Sequence, residues 1–274
     1  MKYLRNLAKK LAHKNKGKTL SQINRQQILI IILIIFFCVI LVALSFSFDK
    51  RSSLIDPILF IIFSFFIGII RMIYTLSFEY MLLDNLDVML YQQYLTSTKK
   101  VRSITKIGIL SYTSSLIQIN YLKGDFQEMK TNLSTLHFEQ PLKENAKQLK
   151  LFAYKMQYLE SFFTKGKTNA SDILNSIENL SCRDEQLKLR IINEIKALDD
   201  ILVQGKVNDY FERTKCETNL RMLEYTYFNA KNAELEEKFD KVKALYAQIA
   251  QENDELFFVK EAKKYLDENC NAIN

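Results

Sequence analysis

Between Gln27 and Asp49 the chain carries no charge, and its apolar residues follow no period. Residues 28–48 are apolar around the whole circumference of a helix rather than along one stripe. At 1.5 Å per residue, about 20 such residues cross the roughly 30 Å hydrocarbon core of a bilayer. Residues 57–78 form a second run, entered through Asp56 and Pro57: Asp accepts from the free amides of a first helical turn, and Pro occupies a position whose N–H has no partner anyway. This run is uncharged as far as Ile70, and Arg71 near its far end has a stem long enough to carry the guanidinium to the interface. Only residues 49–56 lie between the two, enough for a tight turn. The pattern predicts a two-helix transmembrane hairpin with both ends on the same side of a membrane.

The flanking segments have a different rhythm. In residues 1–27, Leu4, Leu7, Ala8 and Leu11 recur at helical spacing among Lys2, Arg5, Lys9, Lys10 and Lys14. Two readings fit: a helix lying on anionic lipid, or a solvated tail that only sets topology. After residue 78, Tyr80, Leu83, Leu86, Leu90 and Tyr94 repeat every three or four positions, so the second span is expected to continue as a helix until about Ser97 to Lys100. Another amphipathic stretch follows at 104–122.

A repeated order then emerges. Long helix-like segments end at Gly124, Gly166 and Gly205, and each Gly precedes a shorter helix-like segment, at 126–136, 172–180 and 207–216. Glycine suits the left-handed backbone that closes a helix. The spacings, 42 and 39 residues, fall within the range of helical arrays. A fourth unit lacks the Gly but keeps the order: a long segment at 217–235, a break near Lys238, then Phe239, Val242, Leu245, Tyr246 and Ile249 on one face. A last segment at 256–266 caps the array. The expected fold class is all-α, a two-helix transmembrane hairpin followed by an α-solenoid of stacked helix pairs. Its divisions are a basic tail (1–27), two spans (28–48 and 57–78) joined by an external turn (49–56), and a helical-repeat domain (79–274).

Composition supports this and narrows the function. The 274 residues include only six Gly, two Pro and no Trp, a scarcity of turn-formers that favours long helices. The net charge of +7 is unevenly placed: residues 1–27 hold eight Lys or Arg and no acid, whereas residues 79–274 hold 27 Lys or Arg against 29 Asp or Glu. A near-neutral domain lacks the basic face that nucleic-acid binding requires, so no nucleic-acid partner is expected. The excess of cations before the first span, against Lys50 and Arg51 in the turn, places both termini in the cytoplasm by the positive-inside rule. Cys38, Cys182, Cys216 and Cys270 form no CxxC pair and read as free thiols.

Gly124, Asp125 and Phe126, followed by Met129, Leu133, Leu136 and Pro141, resemble the second helix of tetratricopeptide-like repeats, closing Pro included. Phe239, Val242, Tyr246 and Ile249 match the same offsets. Residues 262–266 are similar to the final helix of many repeat proteins from low-GC Gram-positive bacteria. The spacing exceeds the usual 34 residues of that family, and its Trp-Leu-Gly signature is absent. The resemblance implies a concave surface for proteins or peptides, which Tyr225, Tyr227 and Phe228 would help to line.

Little points to chemistry. His13 and His137 belong to no HExxH or ExxH arrangement, and there is no GxGxxG, P-loop or GxSxG motif. Asp199-Asp200 and Glu236-Glu237 are neighbours on presumed helices, about 100° apart, and read as solvated faces. No catalytic, cofactor-binding or metal-binding residue is assigned, and no enzyme activity is expected. The expected partners are the bilayer and a protein or peptide docked at the inner membrane surface. The alternative is an accessory or self-protection protein for a transporter or membrane-active peptide, with the hairpin as the functional contact.

Overall fold

A computed structural model describes residues 2–48, 55–139 and 142–270. These are helical throughout, with no strand among the described residues, and they form two compact units that divide between Tyr94 and Leu95.

The first unit opens with α1 (Lys2–Lys14), which ends at Asn15 and Gly17, the latter at φ 78°. A capping box starts α2 (Leu20–Phe48): the Thr19 N–H donates to Gln22 Oε1 at 2.9 Å, and the Gln22 N–H donates to Thr19 Oγ1 at 3.3 Å. Antiparallel to it runs α3 (Ile55–Leu83). The predicted turn at 49–56 lies mostly outside the described residues. Asp56 and Pro57 fall in the first turn of α3, and their side chains also lie outside the description.

α1 is a helix with one covered face and one exposed, cation-rich face. Its narrow face rests on the last third of α3, so that Ala8 and Ala12 are fully buried beside Tyr74, Phe78 and Met81. Lys9 Nζ lies 3.1 Å from the buried Asp84, and the Asn85 amide donates to the Ala12 carbonyl at 3.1 Å. Amphipathicity shows that one face is covered, without saying by what. The helix does not run unbroken from the second span to residue 97. It stops at Leu83, turns through Leu86 at φ 58°, and restarts as α4 (Val88–Arg102), capped by Asp87 Oδ1 on the Leu90 N–H. The rings of Phe78 and Tyr94 stack at 4.0 Å, so α4 doubles back along α3.

The second unit is an array of helix pairs: α5 (Lys106–Lys123) with α6 (Phe126–Ser134), α7 (Glu144–Lys165) with α8 (Ala170–Glu178), α9 (Glu185–Leu202) with α10 (Tyr210–Arg213), and α11 (Asn219–Leu235) with α12 (Phe239–Ile249). The capping helix is α13 (Phe257–Cys270). Each pair has the predicted long-then-short order, and α10 is reduced to a single turn. Gly124, Gly166 and Gly205 all take positive φ, as a left-handed helix stop requires. At the fourth junction Glu237 takes the same conformation, φ 56°, without being glycine.

Along the array each long helix contacts the next, and α13 returns to α5. Phe257 makes the return: its ring lies 5.2 Å from that of Phe126 and 5.3 Å from that of Phe163. A Cβ on Gly124 would come within 2.9 Å of the Phe257 ring. Glycine here thus ends α5 and also makes room for the helix that closes the array.

Candidate functional site

Because α5, α7, α9, α11 and α13 form a closed circuit, their inward side chains meet. Lys155 on α7 lies 3.0 Å from Glu194 Oε2 on α9 and 2.9 Å from Glu224 Oε1 on α11. From α5, the Tyr121 hydroxyl donates to Glu224 Oε1 at 3.0 Å, and the Tyr225 hydroxyl donates to Glu194 Oε1. One polar network therefore ties four long helices together. Glu194 is nearly fully buried, and Lys155 and Glu224 are only 12% exposed. Arg190, one turn before Glu194, sits 4.0 Å from its carboxylate at the margin of the cluster.

The electrostatics are those of mutual commitment. Burial alone would lower the Lys155 pKa, but the two glutamates outweigh it and hold the ammonium above its ordinary value. Burial likewise works against the Glu194 carboxylate, yet Lys155, the Tyr225 hydroxyl and Arg221 leave its pKa lowered. Tyr225 and Tyr121 are pushed well up, first by burial and then by the adjacent carboxylates, so both stay neutral donors. A lysine held charged is no nucleophile, and a carboxylate held ionised by three partners is a poor general base. The cluster is a fastener. A buried pair of this kind adds less stability than apolar packing of equal volume, but breaking one side of it is costly.

This arrangement corrects the assignment of Tyr225, Tyr227 and Phe228 to an open groove. All three are buried. Tyr225 belongs to the polar network, while Tyr227 and Phe228 pack on Phe258 of α13 with ring centroids 5.0 and 6.4 Å away. None of the three is therefore available to line a surface groove.

The junction residues are placed more as expected. Met129 is fully buried and Phe126 stacks on Phe163 at 4.5 Å, whereas Leu133 is half-buried and Pro141 lies outside the described residues. Val242, Tyr246 and Ile249 are buried, but Phe239 is 66% exposed, contrary to expectation. A methyl group added at Gly166 or Gly205 would meet nothing within 4 Å, so these two serve their turns alone.

Other polar residues that hold the array carry no local signal. Asp199 and Asp200 are half-buried and tied into the array: Asp199 Oδ1 accepts from Thr168 at 3.1 Å and from Tyr158 at 3.3 Å, and Asp200 Oδ2 accepts from Asn208 at 2.7 Å. The buried Asn232 accepts from the Asn208 N–H at 2.8 Å. At the other ends of the helices, Glu144 accepts from the Arg183 N–H at 2.7 Å and from the Cys182 thiol at 3.1 Å. Burial and Glu144 push that thiol's pKa up. Among the described residues no three His, Cys, Asp or Glu side chains gather as a metal site.

No protein-family model, curated protein or solved structure matches the chain.

The first unit offers a different kind of surface. Leu20–Leu41 and Phe60–Leu83 are long and apolar enough to cross a membrane. Where nothing covers them they expose large apolar side chains on every side: Leu33 (65%), Phe36 (62%), Phe60 (70%) and Phe65 (67%). Arg71 is exposed, and beyond it α3 turns its side chains toward α1. An apolar cleft of about 320 Å³ lies between α2 and α3, lined by Ile34, Cys38, Val39, Phe60, Phe63 and Ser64 among others. One turn beyond Ser64, Gly68 has nothing within 4 Å of a methyl position.

Proposed function

We propose that the chain is a membrane-anchored helical-repeat protein that serves as a docking platform for a protein or peptide at the inner membrane surface. The observation that carries this reading is the contrast in exposure within one chain. Two helices expose Leu, Ile and Phe all round, which water does not tolerate over such an area. A separate array has a complete core and no comparable apolar belt. The bilayer covers the first, and the array, with both termini in the cytoplasm, displays its outer faces to a partner. Because the inner faces are occupied, docking falls to the outer faces and helix ends, where Leu189, Val207 and Phe239 are exposed. The likeness of residues 124–141 and 239–249 to tetratricopeptide-like repeats supports an interaction role rather than chemistry.

The test uses the full chain in its own membrane. Alkaline extraction should leave it in the pellet, and photo-crosslinkers at positions 189, 207 and 239 should trap a discrete partner in stoichiometric amount. Extraction into the soluble fraction refutes the anchor, and an absence of discrete adducts at all three positions refutes the platform. Sidedness is read from Cys216, since Cys182 is buried. An impermeant thiol reagent should spare Cys216 in intact cells and label it after lysis.

The cleft between α2 and α3, together with the open flank at Gly68, favours a second reading in which the hairpin itself contacts another intramembrane helix. In that case the chain would act as an accessory or self-protection protein. Exchanging residues 28–78 for an unrelated hairpin abolishes function under this reading and preserves it under the first.

A further inference from the structure

The corner between α4 and α5 is built differently from the rest of the array's surface. Val101 and Ile104 are 70% and 78% exposed, the two most exposed aliphatic side chains among the described residues of the second unit, and Ile107 follows at 40%. Around them stand Lys99, Lys100, Arg102 and Lys106, and residues 88–124 contain no acid at all. Glu139 brings a carboxylate to the corner, 2.7 Å from Lys106. Arg102 turns back onto Ser111 at 3.5 Å. Lys99 and Lys100 are exposed and have no carboxylate partner among the described residues.

The corner is also rigid. The Ser103 hydroxyl donates to the Lys99 carbonyl at 2.6 Å, closing α4, and Thr105 Oγ1 accepts from the Gly108 N–H at 3.1 Å, opening α5. A Cβ on Gly108 would sit 2.2 Å from the Arg102 carbonyl oxygen, so the two helix ends meet more closely than any other residue allows. Val101 and Ile104 flank this close approach and stand exposed. α4, which carries Val101, runs unbroken to Arg102.

We infer that the α4–α5 corner is a second membrane contact, in which Val101 and Ile104 enter the headgroup region of an anionic leaflet while Lys99 and Lys100 meet its phosphates. This rests on the membrane reading above. Charge complementarity selects the occupant: the patch is predominantly cationic, and each exposed cation strengthens association with an anionic surface roughly fivefold. Its apolar part is two or three aliphatic side chains, far short of the roughly 800 Å² per partner of a stable protein interface, and it lacks the aromatic anchors such interfaces favour.

The chain contains no tryptophan, so an Ile104→Trp variant carries a single reporter. The full chain is placed in nanodiscs of phosphatidylcholine, with and without about a third phosphatidylglycerol, and quenching by lipids brominated on the acyl chains is compared with that of a Leu189→Trp variant. Several-fold stronger quenching at position 104 with anionic lipid, reduced when Lys99→Gln and Lys100→Gln are added, is the expected result. Quenching at 104 no stronger than at 189, or shielding of the 104 reporter that appears without lipid as protein concentration rises, overturns the inference; the latter would mean that a second copy covers the corner. A chain that does not enter the discs overturns the membrane reading and this inference with it, whereas a chain that enters with an unquenched reporter overturns this inference alone.

Discussion

The two units place their apolar and charged side chains in opposite ways. In the first, Leu33, Phe36, Phe60 and Phe65 face outward and the small core gathers around α1, the end of α3 and the start of α4. In the second, the outside is mixed and the centre holds Lys155, Glu194 and Glu224. Each makes sense only in its own solvent. A helix apolar on all sides needs hydrocarbon around it, while a buried charge needs partners fixed before water is excluded. The chain thus contains two solutions to burying a helix, one using lipid and one using other helices.

The comparison breaks most sharply at Lys155. Lys155→Met leaves two glutamates without the cation between them, and should destabilise the array by about 3–5 kcal/mol. Hydrogen exchange in α7, α9 and α11 measures this, and adding Glu194→Gln and Glu224→Gln should recover most of the loss. If Lys155→Met alone leaves exchange unchanged, the network is not what joins these helices. In the first unit the matching change is Leu33→Arg. It puts a charge at the middle of α2 and should cost about 2.5–3.5 kcal/mol of insertion free energy. A drop in the alkali-resistant fraction reports it, whereas a surface helix would tolerate Arg there.

Acid offers a test without mutation. The Glu194 pKa is lowered in the folded array, so its contribution is fully present above the ordinary 4.5 and is lost as pH falls below that value through the folded pKa. Protection of α9 should decline on acidification before that of α2, whose uncharged run has no such dependence. Unchanged protection of α9 through this range would mean that the carboxylate does not hold the cluster.

Two smaller changes sharpen the reading of the junctions. Gly124→Ala and Gly166→Ala share a backbone cost of about 1–2 kcal/mol for an alanine at positive φ. Only Gly124→Ala also meets Phe257, so the excess of its destabilisation over that of Gly166→Ala measures the closure contact. Equal losses would show that α13 yields freely. Glu237→Gly should go the other way, adding about 0.5–1 kcal/mol by relieving a non-glycine residue at φ 56°. Thermal unfolding followed by tyrosine fluorescence resolves the sign.

What the sequence made legible was local. The uncharged run of α2, the glycine stops at 124, 166 and 205, and the long-then-short order of the pairs each announce themselves within a few residues, because span length and backbone handedness are local constraints. The centre of the array was not legible, since Tyr121, Lys155, Glu194 and Glu224 are spread over 104 positions and each alone looks like an ordinary helix residue. Asp199 and Asp200 misled for the same reason, and Tyr225 was singled out for a role opposite to the one it has. Glu237 shows the converse: the fourth turn was visible from the order of its helices although its glycine is missing. Phe239 matched a motif offset, yet its ring is exposed rather than packed.

Closure at Gly124 and Phe257 changes how the array comes apart. In an open solenoid each pair has one neighbour on either side, the ends fray first, and stability is close to a sum over repeats. Here the first and last pairs support each other across 133 positions of chain, so neither end is free to fray. Forming that contact requires most of the domain to be in place, which favours slow, all-or-none folding over stepwise zippering. It also fixes the number of repeats, because a pair inserted anywhere in the circuit would move Phe257 away from its glycine.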